Sequence, residues 1–201
     1  PNLWKFSATG SQLESGAHIL AFIGFENLVG GTGTDAFNFI GGAAHTGSLS
    51  GGTGLDTLSF AGYSSSRIVT LTATGTIDGF DGAVANISNG FKNIDNLVGS
   101  PALTDRLIGL DTNATWNLDA VAENQYIVNP SLGFQGIEIL QGGSADDTFR
   151  ISGTHANITL RGEAGNDQFV FADGAKLSGA APAVDGGLGT DTFDYSAVFS
   201  V

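Results

Sequence analysis

The sequence predicts an all-β chain, a right-handed parallel β-helix or β-solenoid with coils of about 20–24 residues. Three observations carry this expectation. A glycine–aspartate phrase keeps returning along the chain, short apolar strands stand on either side of it, and the spacing between its copies is nearly constant. No stretch shows helical periodicity with caps.

The phrase is clearest at Gly30-Gly31-Thr32-Gly33-Thr34-Asp35, at Gly51-Gly52-Thr53-Gly54-Leu55-Asp56 and at Gly186-Gly187-Leu188-Gly189-Thr190-Asp191. Worn copies run from Gly142 to Ile151 and from Gly162 to Phe171. Glycines at fixed offsets ask for backbone with positive φ, which costs other residues roughly 1–2 kcal/mol. The alternation after each Asp, as in Ala36-Phe37-Asn38-Phe39, asks for a short strand. Apolar strands also precede most turns: Phe25 to Val29, Ile94 to Val98, Ile137 to Leu140 and Ile158 to Leu160. The glycine pairs or their remnants begin at 30, 51, 99, 142, 162 and 186, giving steps of 21, 48, 43, 20 and 24 residues. Each long step is read as hiding one coil with a degenerate turn. The expectation is then eight or nine coils, with Phe, Leu, Ile and Val stacked inside.

A longer repeat is superimposed. Trp4, Phe22, Gly24, Glu26 and Leu28 match Trp116, Phe134, Gly136, Glu138 and Leu140, all offset by 112. The chain is read as one continuous solenoid, with a first unit over 1–112 and a partial second unit over 113–201. It is expected to be a window on a longer array. The two Trp are expected to be buried stacking residues.

Composition narrows the function classes. With 20 acidic against 7 basic residues, the net charge of −13 disfavours nucleic acid and anionic membranes and favours cations. Hydrophobic residues at 41% and 14 Phe exclude a disordered acidic tail. The absence of Cys removes disulfide frameworks and Cys-based zinc sites. No apolar run approaches the ~20 residues of a membrane span.

In Gly-Gly-x-Gly-x-Asp the backbone can aim carbonyl oxygens inward while the Asp supplies charge. Oxygen ligands in flexible geometry suit Ca²⁺, and two stacked turns would have to share an ion. These residues resemble the RTX (repeats in toxin) family, calcium-binding β-roll repeats of bacteria exported by type I secretion. The resemblance implies metal sites at Gly30, Gly31, Gly33 and Asp35 with Gly51, Gly52, Gly54 and Asp56. A second column would take Asp147, then Gly162, Gly165 and Asp167, then Gly186, Gly187, Gly189 and Asp191. Ala145 and Glu163 depart from the glycine pattern, and the motif is lost between Gly99 and Asp105. The phrase also comes once per coil here, not every nine residues. The alternative is that each Asp caps its own turn without metal. More widely, phrases such as Phe91 to Gly99 and Asp105 to Gly109 resemble giant repetitive surface proteins of aquatic bacteria, adhesin-like or matrix-forming.

No catalytic constellation stands out. His18, His45 and His155 are scattered, and the carboxylate pairs Asp78 with Asp81 and Asp146 with Asp147 sit in Gly-rich turns. The chain is therefore expected to be non-enzymatic: an extracellular or cell-surface stalk, filament or matrix segment stabilised by weakly bound Ca²⁺. Its expected partners are further copies, end to end or as neighbouring repeats, with no membrane insertion. One alternative is an adhesin module for a glycan or surface, with segment 61–90 as its loop. Another is a secretion β-roll attached to an enzyme elsewhere in the chain.

Overall fold

The computed structural model describes residues 1–199, so the partial second unit expected over 113–201 runs two residues beyond the described chain. The chain begins with an antiparallel meander, β1 (Asn2–Ser7), β2 (Gly10–Ser15) and β3 (His18–Phe22). It then alternates between two sheets through β4 (Asn27–Thr32), β5 (Asp35–Ile40), β6 (Ser48–Thr53) and β7 (Thr57–Gly62). A second meander, β8 (Ile68–Thr74), β9 (Phe80–Val84) and β10 (Ile87–Ile94), leads to β11 (Asn96–Val98) and β12 (Arg106–Ile108). A third comprises β13 (Thr115–Asp119), β14 (Asn124–Ile127) and β15 (Ser131–Gln135). Alternation resumes with β16 (Ile139–Gln141), β17 (Thr148–Ser152), β19 (Thr159–Arg161), β20 (Gln168–Phe171), β22 (Val184–Asp185) and β23 (Thr192–Asp194), while β18 (Thr154–His155) and β21 (Lys176–Leu177) pair in a small sheet of their own.

The molecule is all-β, built on two long sheets that contain many parallel pairs. A twelve-stranded sheet runs β23-β20-β17-β13-β14-β15-β11-β7-β5-β1-β2-β3, and a nine-stranded sheet runs β22-β19-β16-β12-β8-β9-β10-β6-β4. Seven times the chain passes directly from a strand of the second sheet to one of the first, as in β4 to β5 and β22 to β23. We call each such pair a rung. Rungs adjacent in the sheets pair in parallel and in register, with Phe37 beside Leu58, Leu140 beside Leu160 and Phe149 beside Phe169, while meander strands separate β10–β11 from β12–β13. Inward residues of both sheets meet in one core.

Each long step does hold one further crossing, β10 to β11 and β12 to β13, but it holds more than a coil. The long steps also hold the second and third meanders, whose antiparallel strands add layers to the stack without completing a turn of chain. Segment 61–90 contributes β8 and β9 to the sheet, with Tyr63, Phe80 and Ile87 in the core, and residues such as Ser64, Thr74 and Ile77 are exposed.

Aromatic side chains stack along the core from rung to rung. Trp116 lies 5.5 Å from Phe149 at 8°, and Phe149 lies 4.9 Å from Phe169 at 6°. Trp4 stacks on Phe37 and Phe6 on Phe39 in the same way. Parallel in-register pairing makes such columns unavoidable wherever consecutive rungs carry Phe at one position. Each pair adds roughly 0.5–1.5 kcal/mol beyond its buried area. Both Trp are core residues.

Candidate functional site

An acidic residue stands at the entrance of nine strands, always two positions before a large apolar one; Glu26 before Leu28 at the entrance of β4 is the first. Asp35, Asp56, Asp95, Asp105, Glu138, Asp147, Asp167 and Asp191 precede Phe37, Leu58, Leu97, Leu107, Leu140, Phe149, Phe169 and Phe193. Here the backbone turns the corner between sheets, and its N–H groups leave the ladder hydrogen bonds. A buried amide without a partner is costly. The structure satisfies these amides with carboxylates from the next layer.

Three columns result. The amides of Asn2, Asp35 and Asp56 donate at 2.8 Å to the carboxylates of Asp35, Asp56 and Asp95 respectively. Those of Ala114, Asp147 and Asp167 donate to Asp147, Asp167 and Asp191 at 2.9, 2.8 and 3.0 Å. On the opposite corner Arg67 N–H donates to Asp105, whose own amide donates to Glu138 at 3.0 Å. The structure thus sets Asp35 next to Asp56, and Asp147, Asp167 and Asp191 in one column. It adds Asp95, Asp105 and Glu138, which the glycine phrase does not mark. Their signal in the sequence was the acidic–x–apolar triplet.

The first glycine of each phrase makes room for the carboxylate. A β-carbon at Gly30, Gly51, Gly142, Gly162 or Gly186 would stand 2.2–2.5 Å from Oδ2 of the Asp five residues on. The second and third glycines let turns stack. At Gly52 and Gly54, with φ of +105° and +131°, a β-carbon would fall 2.0 and 2.2 Å from the carbonyl oxygens of Gly31 and Gly33. Gly187 and Gly189 meet Glu163 and Gly165 in the same way, and Gly165 meets Ala145. The substituted second position, Glu163, keeps a positive φ of 76°. Gly31 and Gly33 face open space and share the positive φ.

A parallel outer ladder runs beside the inner one. Asp146 accepts from Asn166 N–H at 2.7 Å, Asn166 from Thr190 N–H at 3.0 Å, and Asp111 from Ser144 N–H at 3.0 Å. Asp78 and Asp81 likewise accept the amides of Gly54 and Asn93. The carboxylates of both candidate catalytic pairs are engaged in backbone hydrogen bonds.

Asp35, Asp56, Asp95, Asp105, Asp147 and Asp167 are buried, the first two and the last wholly so, while Glu138 is half-buried and Asp191 exposed. Burial first, and then the negative charges of Asp35, Asp95 and Asp78, push Asp56 up to about 6 against the amide of Asp35. Asp147 is likewise pushed up to about 6 by burial. Burial also raises Asp95, Asp167 and Glu138. The Oδ2 atoms of Asp35, Asp56 and Asp167 are buried without a hydrogen-bond partner. Beside each of them sits a second acceptor, the Gly51 carbonyl oxygen in the case of Asp35. The point a β-carbon on Gly51 would occupy is 2.3 Å from Asp56 Oδ2 and 2.2 Å from the Asn93 carbonyl oxygen, and at Gly162 it is 2.2 Å from Asp167 Oδ2 and 2.3 Å from the Gly186 carbonyl oxygen. These oxygens border the glycine's α-hydrogen, and the buried carboxylate among them carries a cost when ionised.

Calcium takes six to eight oxygens. The turns of Asp35, Asp56 and Asp167 each offer one free carboxylate oxygen and nearby backbone carbonyls, whereas both oxygens of Asp147 accept amides, from Ala114 and Gly143. Among the described residues no group of three or more acidic or His side chains is arranged around a metal position. The donors are of the right chemical kind for Ca²⁺, and the ladder already uses the other oxygen of each carboxylate. No family model, curated protein or solved structure matches this chain.

Proposed function

We propose that this chain is a β-solenoid segment of a non-enzymatic extracellular scaffold: a stalk, filament or matrix element of a bacterial surface. Its work is to hold distance and resist unfolding. One observation carries the reading. The acidic side chains that recur most regularly are spent on joining each layer to the next, through carboxylate-to-amide bonds such as Asp35 N–H to Asp56 and Asp147 N–H to Asp167. A protein organised in this way is stabilised layer by layer, with each repeat resting on its neighbours. Strands at the ends of such a stack present free edges, which suit further copies placed end to end or neighbouring repeats of the same array.

A second reading places Ca²⁺ at the turns, held by Asp35, Asp56, Asp147, Asp167 and Asp191 with the surrounding glycine carbonyls. The unpartnered Oδ2 atoms of Asp35, Asp56 and Asp167 favour it. The ion would neutralise this buried charge. Chemical denaturation of the purified chain in EDTA and in millimolar Ca²⁺ tests both. The scaffold reading expects a cooperative β-fold in EDTA. A chain that gains its β signal only with Ca²⁺ is a metal-dependent roll. A chain unstructured in both conditions contradicts the scaffold.

A further inference from the structure

Two meanders in this molecule are versions of one structure, and only one of them is covered. In β13–β15, Trp116 pairs with Tyr126 and Tyr126 with Leu132. In β1–β3, Trp4 pairs with Leu13 and Leu13 with Leu20. Phe134 and Phe22 hold the next inward place on the third strand, opposite Asn124 and Ser11. Leu132 and Ile137 are 0% and 4% exposed, whereas their counterparts Leu20 and Phe25 are 62% and 61% exposed.

The cause of the difference is visible. Over the third meander lies the segment from β9 to β12. The Phe80 ring stands 5.7 Å from Tyr126, Leu97 pairs with Phe134, and Leu110 N–H donates to the Tyr126 hydroxyl at 2.8 Å. Glu138 takes the amide of Asp105 at the entrance of β12. The nine-stranded sheet stops at β4, three strands short of β3, so the first meander has no opposing wall. Among the described residues its edge strand β3 pairs only with β2, and Glu26, the counterpart of Glu138, is exposed.

We propose that the inner face and free edge of β1–β3 form a docking surface for a second repeat unit carrying the chemistry of residues 63–112. That unit supplies a meander with an inward aromatic row, a parallel strand that adds to β3, and a strand entrance whose amide meets Glu26. The register follows from the covered copy. Residues of the kind at Asn96, Leu97 and Val98 pair with Ala21, Phe22 and Ile23, as they do with Gly133, Phe134 and Gln135. A lipid or detergent surface would cover Leu20 and Phe25 but leave the edge of β3 without hydrogen-bond partners, which is costly away from water. The scaffold reading enters only in taking the partner to be another repeat.

The test is a tandem chain in which a second copy of residues 63–112 is fused directly ahead of Pro1 of the full sequence. Residue 113 is the counterpart of Pro1, so the junction reproduces a native one. Amide hydrogen exchange is followed at residues 18–23 and 131–135. The expected result is that exchange at 18–23 slows by about 100-fold or more, toward that at 131–135. A tandem carrying Phe80→Asp and Leu97→Asp in the added copy leaves it fast. Equal, fast exchange at 18–23 in both tandems overturns the inference, while continued protection at 131–135 keeps the scaffold reading intact. Protection at 18–23 that rises with concentration in the unextended chain assigns the face to whole-chain association and also overturns it.

Discussion

The backbone amide of Asp147 donates to Oδ1 of Asp167 at 2.8 Å, joining two rungs at the corner where the sheets do not. Removing that acceptor strands a buried N–H. Asp167→Ala is expected to lower unfolding free energy by about 1–3 kcal/mol in urea melts. Asp95→Ala should cost a similar amount, because Asp95 holds the amide of Asp56 in the same manner despite lying outside any glycine phrase. A silent Asp95→Ala would mean that the ladder is a feature of the glycine turns alone.

The glycines separate into two kinds. Gly162→Ala drives a methyl group to within 2.3 Å of both Asp167 Oδ2 and the Gly186 carbonyl. We expect a loss of about 3 kcal/mol or more, since neither neighbour can swing away. Gly16→Ala meets nothing within 4 Å, and only its φ of +59° opposes the change. That loss should stay near ~1 kcal/mol. Thermal melts of the pair distinguish close approach from backbone strain.

Stability should depend on pH in an unusual direction for an acidic chain. Asp56 and Asp147 keep their protons up to about pH 6 in the fold, and release them near the ordinary 3.8 when unfolded. Between these values the folded state binds more protons. The contribution of these groups is therefore complete below pH 3.8, falls as pH rises to about 6, and is level above that. Urea midpoints in EDTA should be higher at pH 4.5 than at pH 7.5. The opposite order would show that these carboxyls are ionised without penalty in the fold.

The aromatic column predicts a gradient along the stack. Phe149 is fully buried between Trp116 and Phe169, and Phe149→Ala should cost about 3–5 kcal/mol. Phe193 stacks on Phe171 but stays 58% exposed at the last rung, so Phe193→Ala should cost well under half as much. Comparable losses would mean that the end rung is packed as tightly as the middle.

Much of this architecture was legible in the residues. The turns at Gly30, Gly51, Gly162 and Gly186, the strands beside them and the stacked Trp follow from glycine offsets and period-two alternation. The meanders were not legible, because a strand such as Phe80–Val84 reads the same whether its neighbour runs parallel or antiparallel. Spacing alone therefore shows the two hidden crossings and not the meanders that accompany them. At the turns, glycine drew attention to five aspartates and away from Asp95, Asp105 and Glu138, which do the same work. The acidic–x–apolar triplet marks all eight, since what the fold requires is an acceptor at the corner followed by an inward side chain. Which carboxylate oxygen meets an amide depends on the layer above, and no local pattern encodes that.

The central claim, that these carboxylates serve as layer-to-layer caps, is tested most directly by the double variant Asp56→Asn and Asp167→Asn. Asparagine keeps the acceptor used by the amides of Asp35 and Asp147, and replaces the buried, unpartnered Oδ2 with a neutral N–H₂ group. The measurement is the urea midpoint of parent and variant at pH 7.5, in EDTA and in millimolar Ca²⁺. The account predicts a variant at least as stable as the parent in EDTA, with little response of either to the ion. A variant that unfolds readily in EDTA, beside a parent strongly stabilised by Ca²⁺, would contradict it and make the aspartates calcium ligands.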